Sequence, residues 1–188
     1  TDKDNFDTMD ARHASIRWFV GADVGFAIGP SHKDPRTGEI LDADIGMSDV
    51  FARGARRQVA EDWGQPAGFN AYAMGNPLTA HKADPSCSYA NDSAHEMHFA
   101  MDLLEARGMD MDSADAEAVA QAYVKDVIMH EVGHTLGLRH NFRASTIYTV
   151  KQIQDAEFTR KNGITGSGMD YTTFNQATIG EKRATWIG

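Results

Sequence analysis

The chain has 188 residues, with 18 Lys and Arg against 27 Asp and Glu, a formal net charge of −9. An acidic surface is a poor match to a phosphate backbone, whose affinity comes from Lys and Arg, so nucleic acid is set aside as a partner; no run approaches the ~18 apolar residues of a membrane span. With 41% apolar and 24% charged residues the composition is that of a chain able to bury one core. Cys87 is the single cysteine, which excludes an intrachain disulfide and an all-cysteine metal site. Thr1 to Asp10 is polar and carries no signal-peptide pattern.

The first element with a clear period is Ser15 to Val20, where Ile16, Trp18 and Val20 alternate with Arg17 and Phe19, the period of a strand. A second short run, Gly25 to Ile28, leads to Asp34-Pro35-Arg36-Thr37-Gly38, a turn sequence with Asp first and Pro second. From Ile40 to Ser48, Leu41, Ala43, Ile45 and Met47 alternate with Asp42, Asp44, Gly46 and Ser48. This predicts a strand with one solvated face, in a hairpin with the run before Asp34. Ser48 is placed to cap a helix reaching Trp63, and Gly64 to Asp92, dense in Gly, Pro, Asn and Ser, predicts a long loop.

Ser93 with Glu96 has the spacing of a capping box, opening a helix to Gly108 with Met97, Met101 and Leu104 on its apolar stripe. Asp112 or Ser113 opens the longest predicted helix, ending near Leu136. Its inward face carries Ala116, Val119, Ala120, Tyr123, Val127, His130 and His134 at intervals of three or four, and Gly137 is suited to stop it in a left-handed conformation. Thr149 with Gln152 predicts a further capped helix to Lys161, ended by Asn162-Gly163.

The chemistry concentrates in His130-Glu131-Val132-Gly133-His134-Thr135-Leu136-Gly137-Leu138-Arg139-His140. Histidines at i and i+4 project from one helix face, close enough for both imidazoles to reach one tetrahedral zinc ion. Gly137 can turn the chain back so that His140 becomes the third ligand. Three neutral imidazoles leave a fourth position for water, as catalytic rather than structural zinc sites do. A chain of this composition would contain the five specified residues by accident with a probability of about 5 × 10⁻⁵. Glu131 is expected to be the general base, taking a proton from the attacking water and returning it to the leaving amine.

The pattern H-E-x-x-H-x-x-G-x-x-H is the signature of the metzincin clan of zinc peptidases, which this chain resembles. Ser167-Gly168-Met169-Asp170-Tyr171, with Met169 29 positions after His140, is similar to the methionine-containing turn of that clan. Asp34 to Ile40, His140-Asn141-Phe142 and Met169-Asp170-Tyr171 resemble, more narrowly, a group of large secreted bacterial zinc-dependent proteins with a metzincin catalytic unit. The likeness runs from Arg12 to Tyr171 and is tightest at the histidines. It implies an α/β (α+β) metzincin-like fold, a small twisted mixed sheet packed on a long active-site helix with a Met turn, holding one catalytic Zn²⁺. It also implies a protein or peptide substrate and export from the cell. Met169 would form a packing floor under the imidazoles. By analogy with astacin-like and serralysin-like members, Tyr171 would stabilise the tetrahedral intermediate.

The strand Ile40 to Ser48 is the expected edge for an extended substrate, and Thr172 and Phe174 the expected wall of the pocket for the side chain after the scissile bond. Metzincin domains open with a strand and a long helix, whereas here a polar lead-in precedes Ser15 and 17 residues follow Tyr171. Residues 1–188 are therefore read as one metzincin-like catalytic domain, pared down or a fragment of a longer protein.

Several features have plainer explanations. The cluster His95, Glu96 and His98 is explained by helix capping and packing, Asp42, Asp44 and Asp49 by a solvated strand rather than calcium, and Cys87 by an ordinary thiol rather than a latency device. The alternatives left open are a zinc hydrolase or exopeptidase acting on another amide, and a non-catalytic zinc-binding module with an incomplete cleft.

Overall fold

The computed structural model describes residues 7–20, 27–49, 89–110 and 112–176. The helix expected up to Trp63, most of the loop expected from Gly64, and Cys87 lie outside the described residues. The chain is α+β: a small mixed sheet followed by helices. Strands β1 (Ser15–Phe19), β2 (Ala27–Ile28), β3 (Ser31–Lys33) and β4 (Ile40–Ser48) precede helices α1 (Tyr89–Ala106), α2 (Ala114–Thr135), α3 (Val150–Ile153) and α4 (Ala156–Asn162), with a 3₁₀ turn at Ala144–Thr146.

The β3–β4 hairpin forms as the turn sequence dictates. Asp34 accepts the Arg36 N–H on its carboxylate at 2.8 Å, its backbone pairs with Gly38 and Glu39, and Gly38 takes φ +77°. From Asp44 onward β4 is nevertheless not an edge. β1 runs parallel to it from Ser15↔Asp44 to Phe19↔Ser48, and β2 and β3 run antiparallel on its other side, Ala27 opposite Met47 and Ser31 opposite Ala43. The expectation that Ile40 to Ser48 pairs with substrate is thereby corrected from Asp44 onward, where neighbouring strands already use the ladder groups.

The central position also explains why the alternation fails after Asp44. Gly46 and Ser48 are buried along with Ile45 and Met47, as Phe19 and Ile28 close from both sides over Gly46, where a Cβ would lie 2.8 Å from the Phe19 ring. Leu41 is exposed, and so are Ile16 and Trp18 on the outer strand β1. Among the aspartates proposed as a solvated row, Asp44 accepts from the Ser15 N–H and hydroxyl and pairs with Arg17, and Asp49 is buried.

α1 starts four residues before Ser93, so the Ser93–Glu96 capping box does not form. Ser93 is an interior, buried position, and Glu96 instead accepts the Phe174 N–H at 3.2 Å. Met97, Ala100, Met101 and Leu104 face Ala116, Val119, Tyr123 and Val127 of α2, joined by Met47 and Ala27 of the sheet. α2 is capped by Ser113, whose hydroxyl accepts the Ala116 N–H, and the chain leaves it through Gly137 at φ +87°. The Thr149–Gln152 capping box is present, but the predicted helix divides at Asp155, which caps α4 by accepting from Glu157 and Phe158.

One close approach sets the sheet against α2. A Cβ at Gly29, between β2 and β3, would lie 2.5 Å from the backbone oxygen of Glu131. Gly29→Ala should therefore cost about 1–3 kcal/mol of stability by overpacking, read as a lower urea midpoint at unchanged slope. An unchanged midpoint would show that the strand and helix do not meet there.

Candidate metal centre and active site

His130 and His134 sit one turn apart near the C-terminal end of α2, and the reversal at Gly137 returns His140 to them. The ring centroids lie 4.8 Å (His130–His134), 4.9 Å (His134–His140) and 5.3 Å (His130–His140) apart. Each offers a ligand nitrogen within 4.8 Å of the others, the one such cluster of three or more metal-ligating groups among the described residues. The Nε2 atoms of His134 and His140 are 3.1 Å apart, near the ~3.3 Å edge of a tetrahedron with zinc–nitrogen bonds of ~2.0–2.1 Å.

Backbone carbonyls select the ring nitrogens. His130 Nδ1 donates to Gly168 O at 2.8 Å and His134 Nδ1 to Leu138 O at 3.1 Å, which leaves Nε2 of each ring as the lone-pair nitrogen. Burial holds the His130 pKa down to about 4, assisted by the neighbouring histidines, so this imidazole is neutral at physiological pH, the form that binds a metal. His140 is also lowered, by burial and then by His134.

Glu131 is 1% exposed, and neither carboxylate oxygen has a hydrogen-bond partner among the described residues. Burial raises its pKa to about 7. An orphaned buried carboxylate beside three converging imidazoles is costly as a structural feature and suited to holding or moving a proton. The donor set and this orphaned acid both fit a zinc ion with a water on its open side.

The turn expected beneath the histidines closes with Asp170 N–H donating to Ser167 O at 3.2 Å. Asp170 is buried, accepting from the Thr165 hydroxyl and from the Tyr171 N–H, both at 3.0 Å. Asn141 N–H donates to Met169 O at 2.8 Å, which ties the loop after His140 to the same turn. Met169 Sδ rests on Gly133, where a Cβ would lie 2.1 Å away. This contact accounts for a glycine inside a helix, where alanine would be favoured by ~1 kcal/mol.

Tyr171 OH lies 3.3 Å from His140 Nε2, within the ligand cluster, and Phe142 meets the Tyr171 ring edge-on at 5.1 Å. Thr172 and Phe174 do not wall an open pocket as expected. Phe174 belongs to the core, and both line a small cavity with Ser93, Glu96, Met97, Tyr123 and Asp126. His98 is half-buried on α1 and the side chain of His95 lies outside the described residues, among which no further group of metal ligands occurs.

Sequence reasoning missed Tyr89, which stacks on His130, together with Asp126, Gly133 and Asp170. Asp126, four residues before His130 on the inward face, was a visible signal, as was a glycine in mid-helix. Gly133→Ala should lower stability despite the better helix former, and its loss should shrink in a Met169→Ala background. A double-mutant cycle by thermal unfolding measures this coupling, expected at about 1 kcal/mol or more; additive effects would show that the two residues do not touch.

The chain matches no curated protein and no solved structure. Over residues 112–186, the stretch that contains the three histidines, Glu131, Met169 and Tyr171, it matches the family model of the Met-zincins.

Proposed function

We propose that the chain is a zinc-dependent endopeptidase acting on proteins or peptides. One observation carries the reading: three imidazoles converge beside a buried, unpartnered glutamate. In that reading His130, His134 and His140 hold zinc, which when bound supplies a Lewis acid to polarise the peptide carbonyl and make water acidic.

The protein's own groups do the remainder. Glu131, with a pKa near 7, accepts the proton of the attacking water and passes it to the leaving nitrogen. Tyr171 donates a hydrogen bond to the developing oxyanion from its position at His140. Met169 supports the site from below as the Met turn of the family.

Substrate pairing moves from β4 to the outer edge of β2–β3, which follows α2 alongside the site. Gly29 touches Glu131 there, and Lys33 Nζ lies 3.4 Å from where a Gly137 Cβ would be. Among the described residues no strand occupies that edge, so its backbone can take an extended peptide.

Glu131→Gln should retain one zinc per chain and lose at least about a hundredfold in kcat on a fluorogenic protein substrate. Full activity in that variant would remove Glu131 from its role. Tyr171→Phe should lower kcat with zinc content and KM little changed; a change confined to KM would make it a binding residue instead. A wild-type chain that holds zinc but shows no chelator-sensitive cleavage would contradict the peptidase reading.

A further inference from the structure

Tyr89, the first residue of α1, is 1% exposed, and its ring stacks on the His130 imidazole at 4.2 Å and 29°. The same ring lies 4.8 Å from that of Tyr171, which in turn reaches His140. Its hydroxyl donates to the carboxylate of Asp126 and lies 3.2 Å from the Thr172 hydroxyl. Asp126 and His130 are four residues apart on one face of α2. A ring bound through its hydroxyl to the first and through its face to the second therefore spans one helical turn, and can neither slide nor tilt independently of the helix. Ser93 of α1 also stands at the hydroxyl, and Asp126, Thr172 and Ser93 line a small cavity there with Glu96 and Tyr123.

From outside its own helix His130 is met by the His140 and Tyr171 rings, by the Gly168 carbonyl and by the Tyr89 face. The Gly168 carbonyl fixes which nitrogen carries the proton and where it points. The stacked Tyr89 face covers the ring plane itself and opposes its tilting. We propose that Tyr89, clamped by Asp126, is a positioning residue that holds the His130 imidazole and the Tyr171 ring as one unit. This rests on the zinc-peptidase reading of the same site.

The test uses the whole chain as wild type, Tyr89→Leu, Tyr89→Phe and Asp126→Asn, each checked for folding by far-ultraviolet circular dichroism. The readouts are zinc affinity, by competition with a chromophoric chelator, and the visible absorption bands of the Co²⁺-loaded protein, which report ligand geometry. Tyr89→Leu should weaken zinc by about 10–100-fold and change the cobalt bands, as loss of a ligand's supporting partner does. Tyr89→Phe, with the ring but not its anchor, should fall between this and wild type. Asp126→Asn retains an acceptor for the hydroxyl and should stay within about threefold of wild type.

A purely structural role would lower the unfolding temperature and leave both readouts unmoved. A folded Tyr89→Leu chain with wild-type affinity and wild-type cobalt bands therefore overturns the proposal. If that variant does not fold, Tyr89→Phe decides: wild-type values overturn the proposal, and weakening with altered bands supports it. Wild type that takes up no zinc would instead overturn the zinc-peptidase reading itself, so the two failures are distinct.

Discussion

The hydrogen bond from His130 Nδ1 to the Gly168 carbonyl joins the two stretches of chain on which the site depends. It spans 38 positions, from the buried end of α2 to the turn that holds Met169. Without it the imidazole could present either nitrogen, and the turn would lose its register on the helix. With it, Met169 seats on Gly133, the Met169 carbonyl receives the Asn141 N–H, and His140 is held against His134. A single tautomer choice thereby propagates into the placement of all three rings.

The arrangement has an energetic cost. His130 and Glu131 are almost fully buried where apolar side chains would be more stable, and Asp126 lies one turn below them with its pKa raised by burial to about 6. Asp126 is compensated by Tyr89 and the imidazole by Gly168, but among the described residues nothing hydrogen-bonds to Glu131. Such an uncompensated group is the kind of strain that functional sites retain. The rest of the fold is arranged to tolerate it: a capped helix of 22 residues, a methionine-rich layer from α1, and a sheet pressed closely enough on α2 that only glycine fits at position 29.

What was legible in the sequence was local. The Ser113 start and Gly137 stop of α2, the Asp34 to Gly38 turn, the Thr149–Gln152 box and the three histidines each follow from residues a few positions apart, where side chain and backbone chemistry decide the outcome. What failed was long-range. Alternation in β4 announced a strand but could not show that β1 would pair in parallel on one side and make it central. Ser93 and Glu96 had the spacing of a cap, yet burying Tyr89 against His130 carried α1 one turn further back. Thr172 and Phe174 follow the turn directly, and only the packed structure shows them facing inward to Asp126 and Glu96.

X-ray absorption at the zinc edge of the loaded chain addresses the central claim most directly, because it reads the metal's neighbours rather than a downstream activity. The account predicts a first shell of three nitrogens and one oxygen at ~2.0–2.1 Å, with the outer-shell pattern of imidazole rings. A shell without imidazole, or a chain that takes up no zinc, would contradict it.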